Sequence, residues 1–201
     1  MNDLDGARSY FFGYGSLVNR NTHDYQDARP ARLSGWKRVW RHTDLRPVAY
    51  LTVVPDAGSE VTGLMAAVPQ GGWAELDFRE RAYDRIDARE QITHDVTPAP
   101  QVVVYSIPDG KHGVPTRDCP VLLSYLDVVV QGYLREFGEG GAQAFFDTTD
   151  GWNVPILDDR AAPIYPRAQT LSDAERSYVD DRLAALNVEV ISDMPEGLVR
   201  G

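Results

Sequence analysis

The stretch FFGYGSLVN, Phe11–Asn19, sets two tendencies against each other. Phe11, Phe12 and Tyr14 favour a pleated, half-buried surface, whereas Gly13, Gly15 and Ser16 interrupt it. Glycine inside a strand weakens it and marks a bulge or a close approach to the backbone. The stretch therefore reads as a strand that opens into a loop, and the segments after it supply its partners. Gly35–Arg41, Ala49–Val54, Val61–Val68 and Gln101–Ile107 have strand composition, separated by turns at Pro55–Gly58, Pro69–Gly72 and Asp109–Gly110. Residues 73–82 read as a short helix, with strand-like sequence from Tyr83. From about Pro120 the period changes: Leu122, Leu126, Val129, Tyr133 and Phe137 recur at helical spacing. Ala142–Phe146 reads as a second short helix that ends before Asp150–Gly151. Ser172 and Glu175 match a capping box whose helix continues past Leu183 and Leu186 to Asn187. Strands first and helices mainly later predict an α+β fold, with the early strands in a curved or barrel-like sheet.

At 201 residues the chain suits a single domain spanning 1–201 with a real core. A net charge of -10 repels phosphate backbones and anionic membranes, so no nucleic-acid or membrane partner is expected. No apolar run approaches the roughly 18 residues of a membrane span. The opening MNDLDGARS lacks the basic region of a secretory signal, and a cytoplasmic location is the expectation. Cys119 is the lone cysteine, which excludes a disulfide framework and a cysteine-built zinc site; it reads as a buried or helix-capping thiol. His23, His42, His94 and His112 have no paired spacing, so neither a metal nor another cofactor is expected. Ser16 lies outside any G-x-S-x-G elbow, and G-Y-G-S lacks the lysine of a phosphate loop.

The segment WAELDFRERAYDR, Trp73–Arg85, is the most informative. On a helix Trp73, Leu76 and Tyr83 share a face, and Glu80 falls at its centre, four residues after Leu76. Burying an unpaired carboxylate is costly, so it is paired, protonated or turned to a cavity. Three readings stay open on pattern alone: an ion pair with Arg79 or Arg85, a helix that ends early and exposes Glu80, or a general acid/base with raised proton affinity.

Taken together, FGYGSL and LDFRERAY resemble the γ-glutamylcyclotransferase-like family, of AIG2-like and ChaC-like members. Tyr14, Gly15, Ser16 and Leu17 match its Y-G-S-(N)-L loop, and Leu76, Asp77 and Glu80 match the L-D-x-x-E segment that bears the catalytic acid. Tyr83 fits a tyrosine that follows the acid, and PVLLSYLD resembles the segment presenting a substrate-contacting tyrosine, here Tyr125. The ending PIYPRAQTLSDAE is similar to that of bacterial members. The resemblance spans about residues 10–175 and implies a small mixed β-barrel with flanking helices.

It also implies an activity: a γ-glutamyl amide cyclises to 5-oxoproline and releases an amine, the substrate's own α-amine attacking its γ-carbonyl. Glu80 would be general base and then acid. Backbone amides of Gly15, Ser16 and Leu17 would hold the substrate's anionic oxygens, Tyr14 would wall the pocket, and Tyr125 and Tyr83 would position the γ-glutamyl group. The partner is then a small γ-glutamyl molecule. The chain lacks the asparagine of Y-G-S-N-L members, and Val18-Asn19-Arg20 lacks the tryptophan of the glutathione-cleaving branch, so the leaving amine stays open. A non-catalytic γ-glutamyl-binding module and an amide hydrolase using Ser16 are the alternatives. Trp152–Arg160, WNVPILDDR, has no role at this level.

Overall fold

The strand expected at Phe11 lies in the middle of the sheet. A computed structural model of the protein describes residues 8–108, 110–195 and 198, so the polar opening through residue 7, and Asp109 of the expected turn, fall outside the described residues. Strand β1 (Ser9–Gly13) runs antiparallel to β3 (Arg46–Ala67), Phe12 opposite Met65, and parallel to β6 (Gln101–Ser106), Phe12 opposite Val104. Both faces of β1 are buried. Tyr10 and Phe12 enter the main core with Leu64 and Val102, while Phe11 packs in a second cluster with Leu17, Leu76 and Val103. A strand covered on both faces has no polar alternation to show, which is why it reads as an aromatic run.

On its other side β3 pairs with β2 (Gln26–Thr43). With β4 (Asp84–Asp87) beside β6 and β5 (Ile92–Thr93) beside β2, the strands form a mixed seven-stranded sheet, order β4-β6-β1-β3-β2-β5, which β8 (Thr149–Asp150) joins alongside β2. Among the described residues the hydrogen-bonded path runs from β4 to β5. A smaller parallel sheet contains β7 (Val121–Leu122), β9 (Ile156–Leu157) and β10 (Val190–Ile191) in the order β10-β9-β7. The turn expected at Pro55–Gly58 does not end a strand. The ladder steps from Ser34 opposite Glu60 to Trp36 opposite Pro55, so the turn residues bulge out while β3 continues through 22 residues.

Three helices complete the α+β fold. Helix α1 (Trp73–Arg79) follows the expected turn, where Gly71 has φ 79. It ends three residues earlier than expected, with Glu80 as its C-cap at φ -97, ψ 26. The two helices expected after Pro120 are joined as α2 (Leu123–Asp147), broken at Gly138 (φ 67, ψ -172). Helix α3 (Asp173–Ala185) opens with the expected capping box of Ser172 and Glu175. Among the described residues, no helix is long and apolar enough to cross a membrane. Cys119 is half-exposed ahead of β7, neither buried nor a cap.

Trp152–Arg160 acquires a role here. Leu122 gives α2 no side-chain cap. The buried Asp159 carboxylate instead accepts from the Ser124 amide at 2.8 Å, the Ser124 hydroxyl at 2.6 Å and the Ile164 amide at 2.8 Å. Beside it Arg160 donates twice to Asp127, both at 2.7 Å, and once to Asp180 at 2.6 Å, tying α2 to α3. Trp152 stacks on Phe146 with ring centroids 5.0 Å apart. The segment thus secures both ends of α2, whose first turn carries Tyr125.

Candidate active site

Where β1 ends, the chain turns through Tyr14 and Gly15 into a single 3-10 turn, Ser16–Val18. The turn is closed by the Val18 amide on the Gly15 carbonyl at 2.9 Å and the Asn19 amide on the Ser16 carbonyl at 3.1 Å. The Ser16 and Leu17 amides open the turn and so have no acceptor within it. Asn19 locks the loop to α2, its side-chain amide donating to the Val128 carbonyl at 3.0 Å and Gln131 Oε1 at 2.9 Å. Gly15 is needed for space: a Cβ there would stand 2.6 Å from Tyr125 Oη.

A small cleft lies against this loop, lined by Tyr14, Gly15, Ser16, Leu17, Glu80, Tyr83 and Tyr125, together with Phe12, Gly13, Leu51 and Tyr105. Every site residue singled out in the sequence therefore faces one space. Phe12, Gly13, Leu51 and Tyr105 were not singled out. Gly13 alone had a signal, as a glycine that interrupts the first strand; Tyr105 is tied in only by the fold, its hydroxyl donating to Asp77 Oδ1 at 2.5 Å. The Tyr14 phenol donates to the Tyr105 carbonyl at 2.7 Å and that of Tyr83 to the Leu51 carbonyl at 2.9 Å, so both rings are fixed as walls. Tyr125 packs edge-on against Tyr165, centroids 5.1 Å apart. Burial pushes the Tyr14, Tyr83 and Tyr125 phenols well above the ordinary tyrosine range, which keeps them neutral.

Of the readings that pattern left open, Glu80 takes the ion pair, on a helix that ends early without fully exposing it. Its side chain is 16% exposed and pairs with Arg79, Nε to Oε1 at 3.0 Å, yet it also faces the cleft. Arg85 turns elsewhere, onto Asp77 at 3.4 Å and over the Trp73 ring. Burial pushes the Glu80 carboxyl above the ordinary glutamate range, against the opposing pull of Arg79 and, less strongly, Arg167. Arg79 also reaches the loop region, donating to the Thr22 carbonyl at 3.0 Å and to Ser16 Oγ at 3.4 Å. The His23 imidazole, beside the loop, sets Nε2 against the Leu17 carbonyl at 3.0 Å and not against the Ser16 hydroxyl.

The arrangement is that of a small α+β protein whose first strand ends in an amide-bearing loop facing a buried, arginine-paired glutamate. The chain belongs to the γ-glutamyl cyclotransferase, AIG2-like family, whose sequence model matches residues 11–127. Among solved structures it is similar in fold to one named gamma-glutamyl cyclotransferase, at 14% identity and TM-score 0.55, covering 87% of this chain and 99% of that one. An uncharacterised Homo sapiens protein is similar at 14% identity and TM-score 0.54, covering 87% of this chain and 99% of that one. YkqA from Bacillus subtilis is similar at 15% identity and TM-score 0.55, covering 68% of this chain and 52% of that one. No curated protein matches the sequence. Asp159, Arg160 and Tyr165, which support Tyr125, lie beyond the family match.

Proposed function

We propose that the protein is a γ-glutamyl cyclotransferase that converts a small γ-glutamyl amide (glutathione, a γ-glutamyl amino acid or a γ-glutamylamine) into 5-oxoproline and a free amine. The observation that carries the reading is the shared cleft, lined by both Glu80 and the Tyr14–Leu17 loop. The substrate's α-amine nitrogen attacks its γ-carbonyl carbon, the carbonyl oxygen becomes an oxyanion, and the C–N bond to the leaving amine breaks. Glu80 takes the proton from the attacking amine and delivers it to the departing one. Gly15, Ser16 and Leu17 amides hold the oxyanion or the α-carboxylate, preformed donors that need little reorganisation. The aromatic walls fold the substrate into its near-attack shape, which is worth up to roughly 7–11 kcal/mol.

Proton affinity favours this use of Glu80. An ordinary glutamate near ~4.3 facing an α-amine near ~8 makes the transfer about 5 kcal/mol uphill. Burial moves Glu80 in the direction that narrows the gap. Among the described residues Ser16 has only the Arg79 guanidinium at its hydroxyl, a group that takes no proton, which supports its use as a backbone donor over a nucleophile.

Mass spectrometry of the purified protein incubated with glutathione, γ-glutamyl dipeptides and γ-glutamylamines tests the reading. The expected result is 5-oxoproline from at least one class. Free glutamate would instead indicate hydrolysis, and unaltered ligand with a raised Tm a binding module.

The Arg79 pair gives a pH prediction. Arg79 holds the Glu80 carboxyl down, so Arg79→Met lets it rise further. A base must be ionised to act, and activity is lost as pH falls through its pKa. The acid limb of the kcat/KM profile is therefore expected to move to higher pH. An unmoved limb would mean that Glu80 does not control it.

A further inference from the structure

Arg38, on β2, is a cation buried without a counter-ion. It is 1% exposed and bonds to neutral oxygens: Nε to Thr149 Oγ1 at 3.0 Å, Nη2 to Thr148 Oγ1 at 2.6 Å, and Nη1 to the Thr62 carbonyl at 3.2 Å and Tyr133 Oη at 3.1 Å. Among the described residues no carboxylate pairs with it. The Tyr133 and Phe145 rings lie 5.4 and 5.1 Å from its Cζ and offset part of the lost hydration. An isolated buried charge is among the most costly groups a core can hold. Its hydrogen bonds lead toward the cleft loop. The Tyr133 hydroxyl, which accepts from Arg38, shares its single proton between the Thr62 carbonyl at 2.7 Å and the Tyr14 carbonyl at 3.0 Å. The Tyr14 carbonyl and the Gly15 amide are two ends of one peptide unit, at the start of the cleft loop. A donor on that carbonyl polarises the peptide and strengthens its N–H, since chained hydrogen bonds reinforce one another in a low dielectric.

We propose that Arg38, acting through the Tyr133 hydroxyl, is a positioning residue for the Tyr14–Leu17 loop, and that its unpaired charge is complemented by the carboxylate of the bound γ-glutamyl compound. The inference rests on the proposed function and deepens it. The loop presents its amides to the anion from the front; the guanidinium adds positive potential from behind, without touching the ligand.

Calorimetric binding of 5-oxoproline and of its uncharged carboxamide separates this from a merely structural role. Tyr133→Phe keeps the ring and removes the hydroxyl. It is expected to weaken 5-oxoproline about tenfold and the carboxamide less than twofold. Arg38→Lys, which keeps the charge, is expected to bind 5-oxoproline more tightly than Arg38→Met, with the carboxamide alike in both. Where Arg38→Met does not fold, Tyr133→Phe alone decides. Equal weakening of acid and amide, or none for either, overturns the proposal while leaving the cyclotransferase reading intact. Wild-type protein that binds neither compound and releases no 5-oxoproline overturns that reading, and this inference with it.

Discussion

Glu80→Gln is expected to lower 5-oxoproline release by about 10³-fold with the fold in place. In the proposed reaction one carboxylate carries both proton transfers, and positioned acid–base groups contribute roughly 10²–10⁴-fold each. The glutamine keeps the size of the side chain and an oxygen for the Arg79 bond of 3.0 Å. The loss is therefore expected in kcat, with KM little changed, as for an interaction made in the transition state. Stability should move the other way or not at all. Burial raises the folded-state pKa of Glu80 above its unfolded value. Ionising it thus takes stability away as pH rises from the ordinary glutamate value through the raised one, and at neutral pH glutamine is spared that cost. Steady-state rates and thermal melts at pH 7 check both halves. Wild-type release by Glu80→Gln would remove this residue from the chemistry, and a collapsed Tm would assign it to the fold.

Gly63→Ala is expected to be the most damaging change outside the cleft, at about 3 kcal/mol or more. Gly63 lies on β3 opposite Ala31 and next to the register that pairs Leu64 with Gly13. A Cβ there would stand 2.2 Å from the Gly13 carbonyl oxygen and 2.8 Å from Phe12 Cζ. The first of these is backbone and cannot swing aside, so β1 must part from β3 where the cleft loop begins. Overpacking a core typically costs 1–3 kcal/mol, and a rigid obstacle puts this case at about the top of that range. Gly58→Ala is the control: its nearest neighbour is Asp56 Oδ1 at 3.8 Å, and the change should stay within about 0.5 kcal/mol. Urea midpoints for the pair decide, and a Gly63→Ala midpoint equal to wild type would contradict the close approach.

Much of this was legible locally. The capping box at Ser172, the break between two helical runs and the strand that opens at Gly13 each depend on neighbours in sequence, and each is present. Glu80 was singled out for being charged in an apolar stripe, and Trp73 and Tyr83 do pack with Leu76. Its route to the cleft differs, however: the helix stops at Arg79, and the cap conformation aims it. A helical wheel presumes a continuing helix, so it has no means of showing that. The turn chemistry at Pro55–Gly58 was also readable, but the same residues serve a hairpin or a bulge, and only the partner strand selects. Contacts between distant segments left no trace. Arg79 meets Ser16 across 63 residues and Asp159 meets Ser124 across 35, and neither pairing has a local pattern. Arg38 looked like any surface arginine in a strand.

The anchoring of the cleft loop also sets a schedule for synthesis. Tyr14 is held through its phenol by a carbonyl 91 residues later and through its own carbonyl by a hydroxyl 119 residues later. β1 likewise finds its parallel partner only when β6 has been made. Contacts this remote in sequence form slowly, because a long loop must close before they reward it. On the ribosome the aromatic first strand can pair along one edge once β3 has emerged, while its other edge stays open until β6 follows, and Phe11 and Phe12 beside that open edge are where a holding chaperone would be most needed.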